Sequence, residues 1–270
     1  MKKIILMFAA VVMAAGVMSA QDINQATESY NNGAMELQMG NNEAAIENFQ
    51  AALTMGEALG DEGADLVANC KKAIASATLS MAKDLYNAKD FEGAAAAFVK
   101  AKEVAEGYGE TEIAEEAAEL VNQANALKFN TEGKAAMKVK DFPTAISCFT
   151  KVLELDPTNG ATAVQLGQAY MNAGQFDEAI TALETAMANG QEKNAAKILS
   201  NVYLKKAQAS NKAKNYQEVI DFAAKSNEAL ENGNAYKLTA SALQKLGKND
   251  ECIAAYEKYL EITPNAKDAG

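Results

Sequence analysis

Histidine, tryptophan and arginine are absent from this 270-residue chain, and proline occurs only three times. Without histidine, no Ser-His-Asp or Cys-His nucleophile, HExxH zinc site or histidine-ligated haem can be assembled. Without arginine there is no guanidinium fork for phosphate or guanine. All 25 basic residues are lysine, and 36 acidic residues leave a net charge of −11, which repels nucleic acid. Cysteine is scarce as well: Cys70, Cys148 and Cys252 lie at least 78 positions apart, with no CxxC, CxxCH or metal-ligand spacing. They read as small, partly buried hydrophobes and predict three free thiols. No cofactor or metal site is expected.

Long apolar runs are also missing, with one exception. Ile4 to Val17 is a 14-residue apolar stretch, preceded by Lys2 and Lys3 and followed by Ser19-Ala20 and polar Gln21-Asp22. That order predicts a secretory signal peptide over residues 1–20 and an exported protein, with the bacterial periplasm as the expected destination. The stretch is short for a spanning helix, so no stable membrane insertion is expected after cleavage. Loss of Lys2 and Lys3 would take the net charge to −13. No cysteine follows the cleavage point to carry a lipid.

What is present, from residue 21 onward, is helix. Apolar residues recur three and four apart, alanine is abundant, and short Gly, Asn or Asp pieces separate the segments. A fixed period overlies this pattern. Gly133 and Gly167, Phe142 and Phe176, Ala145 and Ala179, Phe149 and Leu183 are each 34 residues apart. The segment 160–193 carries Leu166, Gly167, Tyr170, Ala179 and Ala186; the segment 126–159 carries Phe129, Gly133, Ala145, Phe149 and Pro157. Weaker copies occupy 26–59 (Gly33, Ala45, Phe49, Ala52), 75–108 (Ala82, Phe91, Ala94, Phe98, Ala101), 200–233 (Tyr203, Ala207, Tyr216) and 233–266 (Tyr236, Ala240, Tyr256, Pro264).

These residues resemble the tetratricopeptide repeat (TPR) family, whose 34-residue unit is a pair of helices, A and B. The resemblance implies an all-α, right-handed superhelical solenoid of about six TPR helix pairs, two with extended helices. Its parts would be the leader 1–20, N-terminal repeats with extended helices over 21–125, and a C-terminal array over 126–266. Small residues at positions 8 and 20 would let A and B approach, with an aromatic at position 24 filling the gap. Asp90, Asp141 and Asn215 are expected to cap B helices, Pro143 to sit in a first turn, and Pro157 and Pro264 to end theirs. The 15 residues inserted at 60–74 and the 17 at 109–125 are helix-like and predict N-terminal extensions of the next A helices; the alternative is an added helix and a short turn.

Function comes from the surface, since one fold serves many functions. In TPR arrays the concave groove is lined by A-helix positions 2, 5, 9, 12 and 13. Of the 30 residues this selects, six are lysine, ten are Asn or Gln, and none is acidic. The candidate partner-binding residues are Lys83, Asn87, Asn130, Lys134, Lys138, Gln168, Asn172, Asn201, Gln208, Asn211, Lys212 and Lys237. The resemblance therefore implies a non-enzymatic protein-protein interaction scaffold or adaptor of the cell envelope, holding an acidic or extended peptide or protein segment. The alternatives are a substrate- or glycan-binding module of an envelope uptake system and a member of an outer-membrane insertion machine. The acidic runs Glu43 to Glu47 and Glu110 to Glu119 read as solvated helix faces. The last B helix, with Ile253, Tyr256, Tyr259 and Leu260, lacks an evident cover, which predicts weak self-association through that end.

Overall fold

A computed structural model describes residues 20–264, and twelve α-helices fill nearly all of them. Residues 1–19 of the expected leader lie outside the described residues. The chain divides within one helix, between Val121 and Asn122, into an N-terminal and a C-terminal compact part.

In the N-terminal part, α1 (Ala20–Gln38) pairs with α2 (Asn42–Ala58), and α3 (Ala64–Asn87) with α4 (Phe91–Tyr108). A short 3-10 turn, Gly60–Gly63, separates α2 from α3. The next helix, α5 (Thr111–Lys138), begins here and continues into the C-terminal part. There it is followed by α6 (Phe142–Leu155), and α7 (Gly160–Ala173) pairs with α8 (Phe176–Ala188). The last pairs are α9 (Glu192–Lys212) with α10 (Tyr216–Ala229) and α11 (Gly233–Lys245) with α12 (Asn249–Ile262). Odd-numbered helices are the A helices, and the pairs stack in chain order within each part, as a TPR-like solenoid requires.

Most of the 60–74 and 109–125 insertions extend A helices: α3 starts at Ala64, after the Gly60–Gly63 3-10 turn, and α5 at Thr111. They give α3 24 residues and α5 28, about 36 and 42 Å at 1.5 Å per residue. The smaller insertion at 194–199 is absorbed the same way, making α9 21 residues long.

Within a repeat, packing follows the small-residue logic. A Cβ added at Gly33 would stand 2.8 Å from the Phe49 ring, at Gly133 2.7 Å from Phe149, and at Gly167 2.6 Å from Leu183. Phe49, Phe98, Phe149 and Leu183 are all buried in the gaps so formed. Each contributes about 2–3 kcal/mol by leaving water. Cys70 and Cys148 join these cores and Cys252 the last one; all three are buried free thiols.

The final repeat departs from expectation. Tyr256, at the aromatic position, is 37% exposed, whereas Tyr259 one turn later is buried. Tyr259 occupies the place held by Ala52, Ala101 and Ala186 in other repeats, and its ring takes the space against α11. Ile253 and Leu260 remain exposed beside Tyr256.

Helix ends show how the sequence sets the turns. The Asp90 carboxylate accepts from the Gly93 N–H at 2.9 Å and Asp141 from the Thr144 N–H at 3.2 Å. Pro143 falls in the first turn of α6, where its missing N–H costs little. Asn215 stands at the N-cap position of α10, but its side chain makes no cap bond. Its amide nitrogen donates instead to Glu218 Oε2 at 3.3 Å, one turn into the helix.

One residue before the B-helix cap, every repeat carries a left-handed residue: Gly40, Lys89, Lys140, Gly174, Lys214 and Gly247, with φ between 62° and 80°. Three of the six are lysine, at a conformation that costs a residue with a Cβ about 1–2 kcal/mol.

Candidate protein-binding groove

The candidate residues all lie on A helices. Lys83 and Asn87 belong to α3; Asn130, Lys134 and Lys138 to α5; Gln168 and Asn172 to α7; Asn201, Gln208, Asn211 and Lys212 to α9; Lys237 to α11. The first two are in the N-terminal part, the other ten in the C-terminal part.

In the C-terminal part the A helices run side by side. Ala136 of α5 packs with Leu166 and Ala169 of α7, and α7 touches α9 as α9 touches α11. On α5, residues 130, 134 and 138 recur every four positions while Gly133 and Ala136 face the core. On α7, Gln168 and Asn172 do the same beside buried Leu166, Gly167 and Ala169. Lys134, Lys138, Gln168, Asn172, Asn201, Gln208 and Lys212 are exposed, and Asn130 and Asn211 half-buried. These side chains share one face, and no acid occupies an equivalent position on it.

Two candidates are engaged elsewhere. The Lys83 ammonium lies 2.6 Å from Glu116 on α5, and Lys237 sits 5.5 Å above the Tyr259 ring of α12. Lys83 is therefore held by its own chain, and Lys237 leans toward the B helix. Sequence spacing could place both on A helices but could not show which neighbours their long stems would reach.

Two buried acceptors were not foreseen. The side-chain carbonyls of Asn130 on α5 and Gln165 on α7 are buried without a hydrogen-bond donor from the protein. A buried acceptor left unmatched costs about 1–3 kcal/mol. Among the described residues, no three Cys, Asp or Glu side chains converge in a way that could hold a metal ion.

Residues 136–207 and 235–266 match family models described as tetratricopeptide repeat. The chain carries tetratricopeptide repeats. An Hsp70-Hsp90 organizing protein of Triticum aestivum is 33% identical over 103 residues, covering 36% of this chain and 18% of that protein. Hsp70-Hsp90 organizing protein 1 of Glycine max is 28% identical over 141 residues, 50% of this chain and 23% of its own. The chain thus spans about a fifth of the length of these curated relatives. Among solved structures, the C-terminal part of a TPR repeat-containing protein from Cytophaga hutchinsonii aligns over 92% of this chain and 97% of its own. It is 16% identical, with a TM-score of 0.44.

The TPR matches begin at Ala136, in the last turn of α5, and so cover the B helix of repeat three, all of repeat four and most of α9. They include Lys138, Gln168, Asn172, Asn201 and, in the second match, Lys237. The remaining candidates rest on the helix pairing and on repeat position.

Proposed function

We propose that this protein is a non-enzymatic scaffold of the cell envelope that holds an acidic, extended segment of a partner protein against α5, α7 and α9. The observation that carries the reading is the composition of this face: lysines and amides without a carboxylate, in a chain with a net charge of −11. Amides hydrogen-bond an extended main chain, and Lys134, Lys138 and Lys212 attract its carboxylates. The names of the curated relatives, proteins that organize Hsp70 and Hsp90, agree with a role in holding other proteins. The envelope assignment rests on the lysine-led apolar stretch before residue 21.

The test uses a fluorescent, extended Asp/Glu-rich peptide and its Lys-substituted counterpart. The acidic peptide binds with an affinity that falls as salt rises, and the basic one does not. Lys134→Glu with Lys138→Glu weakens binding about tenfold or more and leaves helicity and melting temperature unchanged. Binding indifferent to salt and to this double substitution refutes the proposal.

A further inference from the structure

In the C-terminal part, each B helix but the last packs against the A helix that follows it. An isoleucine stands at the fifth residue of every one of these B helices: Ile146 in α6, Ile180 in α8, Ile220 in α10 and Ile253 in α12. Ile146 packs on the cluster that holds Leu166 and Ala169 of α7. Ile180 packs on that of Leu199 and Val202 of α9, and Ile220 on that of Ala235 and Ala242 of α11. No described helix follows α12. Ile253 is 58% exposed there, and Tyr256 and Leu260, at the places of Leu183 and Met187 in α8, complete an uncovered apolar stripe.

The contact between α8 and α9 shows what such a face accepts. Ala195, Leu199 and Val202 of α9 share one cluster with Leu183 and Ala186 of α8. Lys206 of α9 reaches back to pair with Asp177, the second residue of α8. Counted from the start of the helix, Asp250 holds the place of Asp177 in α12, and Glu257 that of Glu184. Both are exposed and make no ion pair among the described residues.

Other charges around α12 are engaged within the repeat. Glu251 pairs with Lys248 and Glu261 with Lys258, while Lys237 of α11 lies over the Tyr259 ring. Lys245, the last residue of α11, has no ion pair among the described residues and belongs to the A-helix face. The outer face of α12 thus offers an apolar stripe beside two unmatched carboxylates, one of them where a sister repeat receives an ammonium from the next helix.

We infer that α12 docks a basic amphipathic helix of a partner protein, laid on it as the A helix of a further repeat would be. Apolar residues of that helix cover Ile253, Tyr256 and Leu260, and a lysine or arginine meets Asp250. A second copy of the chain fits this face poorly. Its first A helix, α1, has no lysine and carries Asp22, Glu28 and Glu36. Two α12 helices laid together would each bring four acids and one lysine. The site also differs from the groove in place and sign, being acidic and apolar on a B helix.

Fluorescence anisotropy tests this with the full chain after removal of residues 1–20. The first probe is a peptide of the α9 sequence, residues 192–212, locked as a helix by a side-chain cross-link. The second is the same peptide with its five lysines changed to glutamate. The lysine peptide binds and the glutamate peptide does not. Ile253→Ser with Leu260→Ser lowers binding about tenfold and, because both side chains are exposed, leaves the melting temperature unchanged. Asp250→Lys with Glu257→Lys lowers it several-fold and strengthens binding of the glutamate peptide. The serine variant still captures the extended acidic peptide, so this proposal and the groove reading fail separately. Sedimentation velocity finds the chain monomeric without the probe. Absence of binding, equal binding of both peptides, indifference to the α12 substitutions, or a dimer that the serine variant dissolves would each overturn it.

Discussion

Replacing Lys140 and Lys214 by glycine raises the stability of the C-terminal part. Both residues have φ near 62°, where a Cβ crowds the following carbonyl at a cost of about 1–2 kcal/mol. Glycine removes that cost but loses more freedom on folding, roughly 0.5–1 kcal/mol. The difference is a gain of about 0.5–1 kcal/mol per site. Neither side chain makes an ion pair, hydrogen bond or ring contact among the described residues, and the turn hydrogen bonds come from the main chain, so nothing offsets the gain. For a chain of this size it amounts to about 1–4 °C per site. The reverse change supplies the control. A Cβ at Gly174 meets nothing within 4 Å, so Gly174→Ala reports backbone conformation alone and lowers the midpoint by a similar amount. Thermal melts followed at 222 nm, all on one probe because repeats unfold in neighbour-coupled steps, measure both. A Lys140→Gly, Lys214→Gly double variant that melts at or below the parent temperature would refute the assignment of strain, as would a stabilising Gly174→Ala.

Gly133→Ala forces a methyl to within 2.7 Å of the buried Phe149 ring; overpacking of about 1–3 kcal/mol exceeds the roughly 1 kcal/mol gained in helix propensity. Urea midpoints therefore fall, and Phe149→Leu in the same chain recovers part of the loss, as Leu183 opposite Gly167 foreshadows. Burial pushes the Cys70 thiol up to about 11, so it stays protonated in the fold while the unfolded chain ionises near 9. Stability present below pH 9 is lost as pH rises toward 11, and Cys70→Ala makes that fall shallower in melts across this range. A thiol reagent at pH 8 finds Cys70 unreactive in the native chain and counts three thiols after denaturation under non-reducing conditions; a count of one would mean an internal bridge. Ser226→Ala removes a buried donor and acceptor and lowers stability by about 1 kcal/mol, whereas Ser200→Ala with Ser226→Ala costs less than the sum of the singles. Additive losses in urea titrations would contradict the coupling.

The helix pairs, the long α3 and α5, and the Gly–Phe contacts were legible in the sequence because each follows from periodicity and side-chain size. The capping aspartates were legible for the same reason, since cap geometry is local. Asn215 was not: its side-chain orientation, with the amide nitrogen toward Glu218 and no cap bond to the helix end, is something spacing does not register. Tyr256 and Tyr259 illustrate another limit, because two tyrosines three residues apart can each claim the gap beside α11, and only packing decides. The left-handed lysines left a trace that could have been read. Gly40, Gly174 and Gly247 recur at one repeat position, and the lysines filling that position elsewhere mark the same turn. Which groove lysines point outward was beyond reach, since Lys83 and Lys237 have partners on other helices, Glu116 and Tyr259.

Ser200 and Ser226 face each other across α9 and α10, their hydroxyl oxygens 3.0 Å apart. Ser226 also donates to the Ser200 carbonyl at 2.9 Å and Ser200 to the Leu230 carbonyl at 3.1 Å. Much of the remaining contact between helices here is apolar, alanine with Leu, Val or a ring, and such surfaces can slide a few tenths of an ångström at little cost. Directional bonds in a dry interior cannot, because a small displacement leaves buried donors and acceptors unmatched. When a bound partner pulls on this part of the chain, α9 and α10 therefore move as one stiff strut. The deformation is taken up at the alanine-lined joints on either side, so the mechanical hinges of the array lie where its chemistry is plainest.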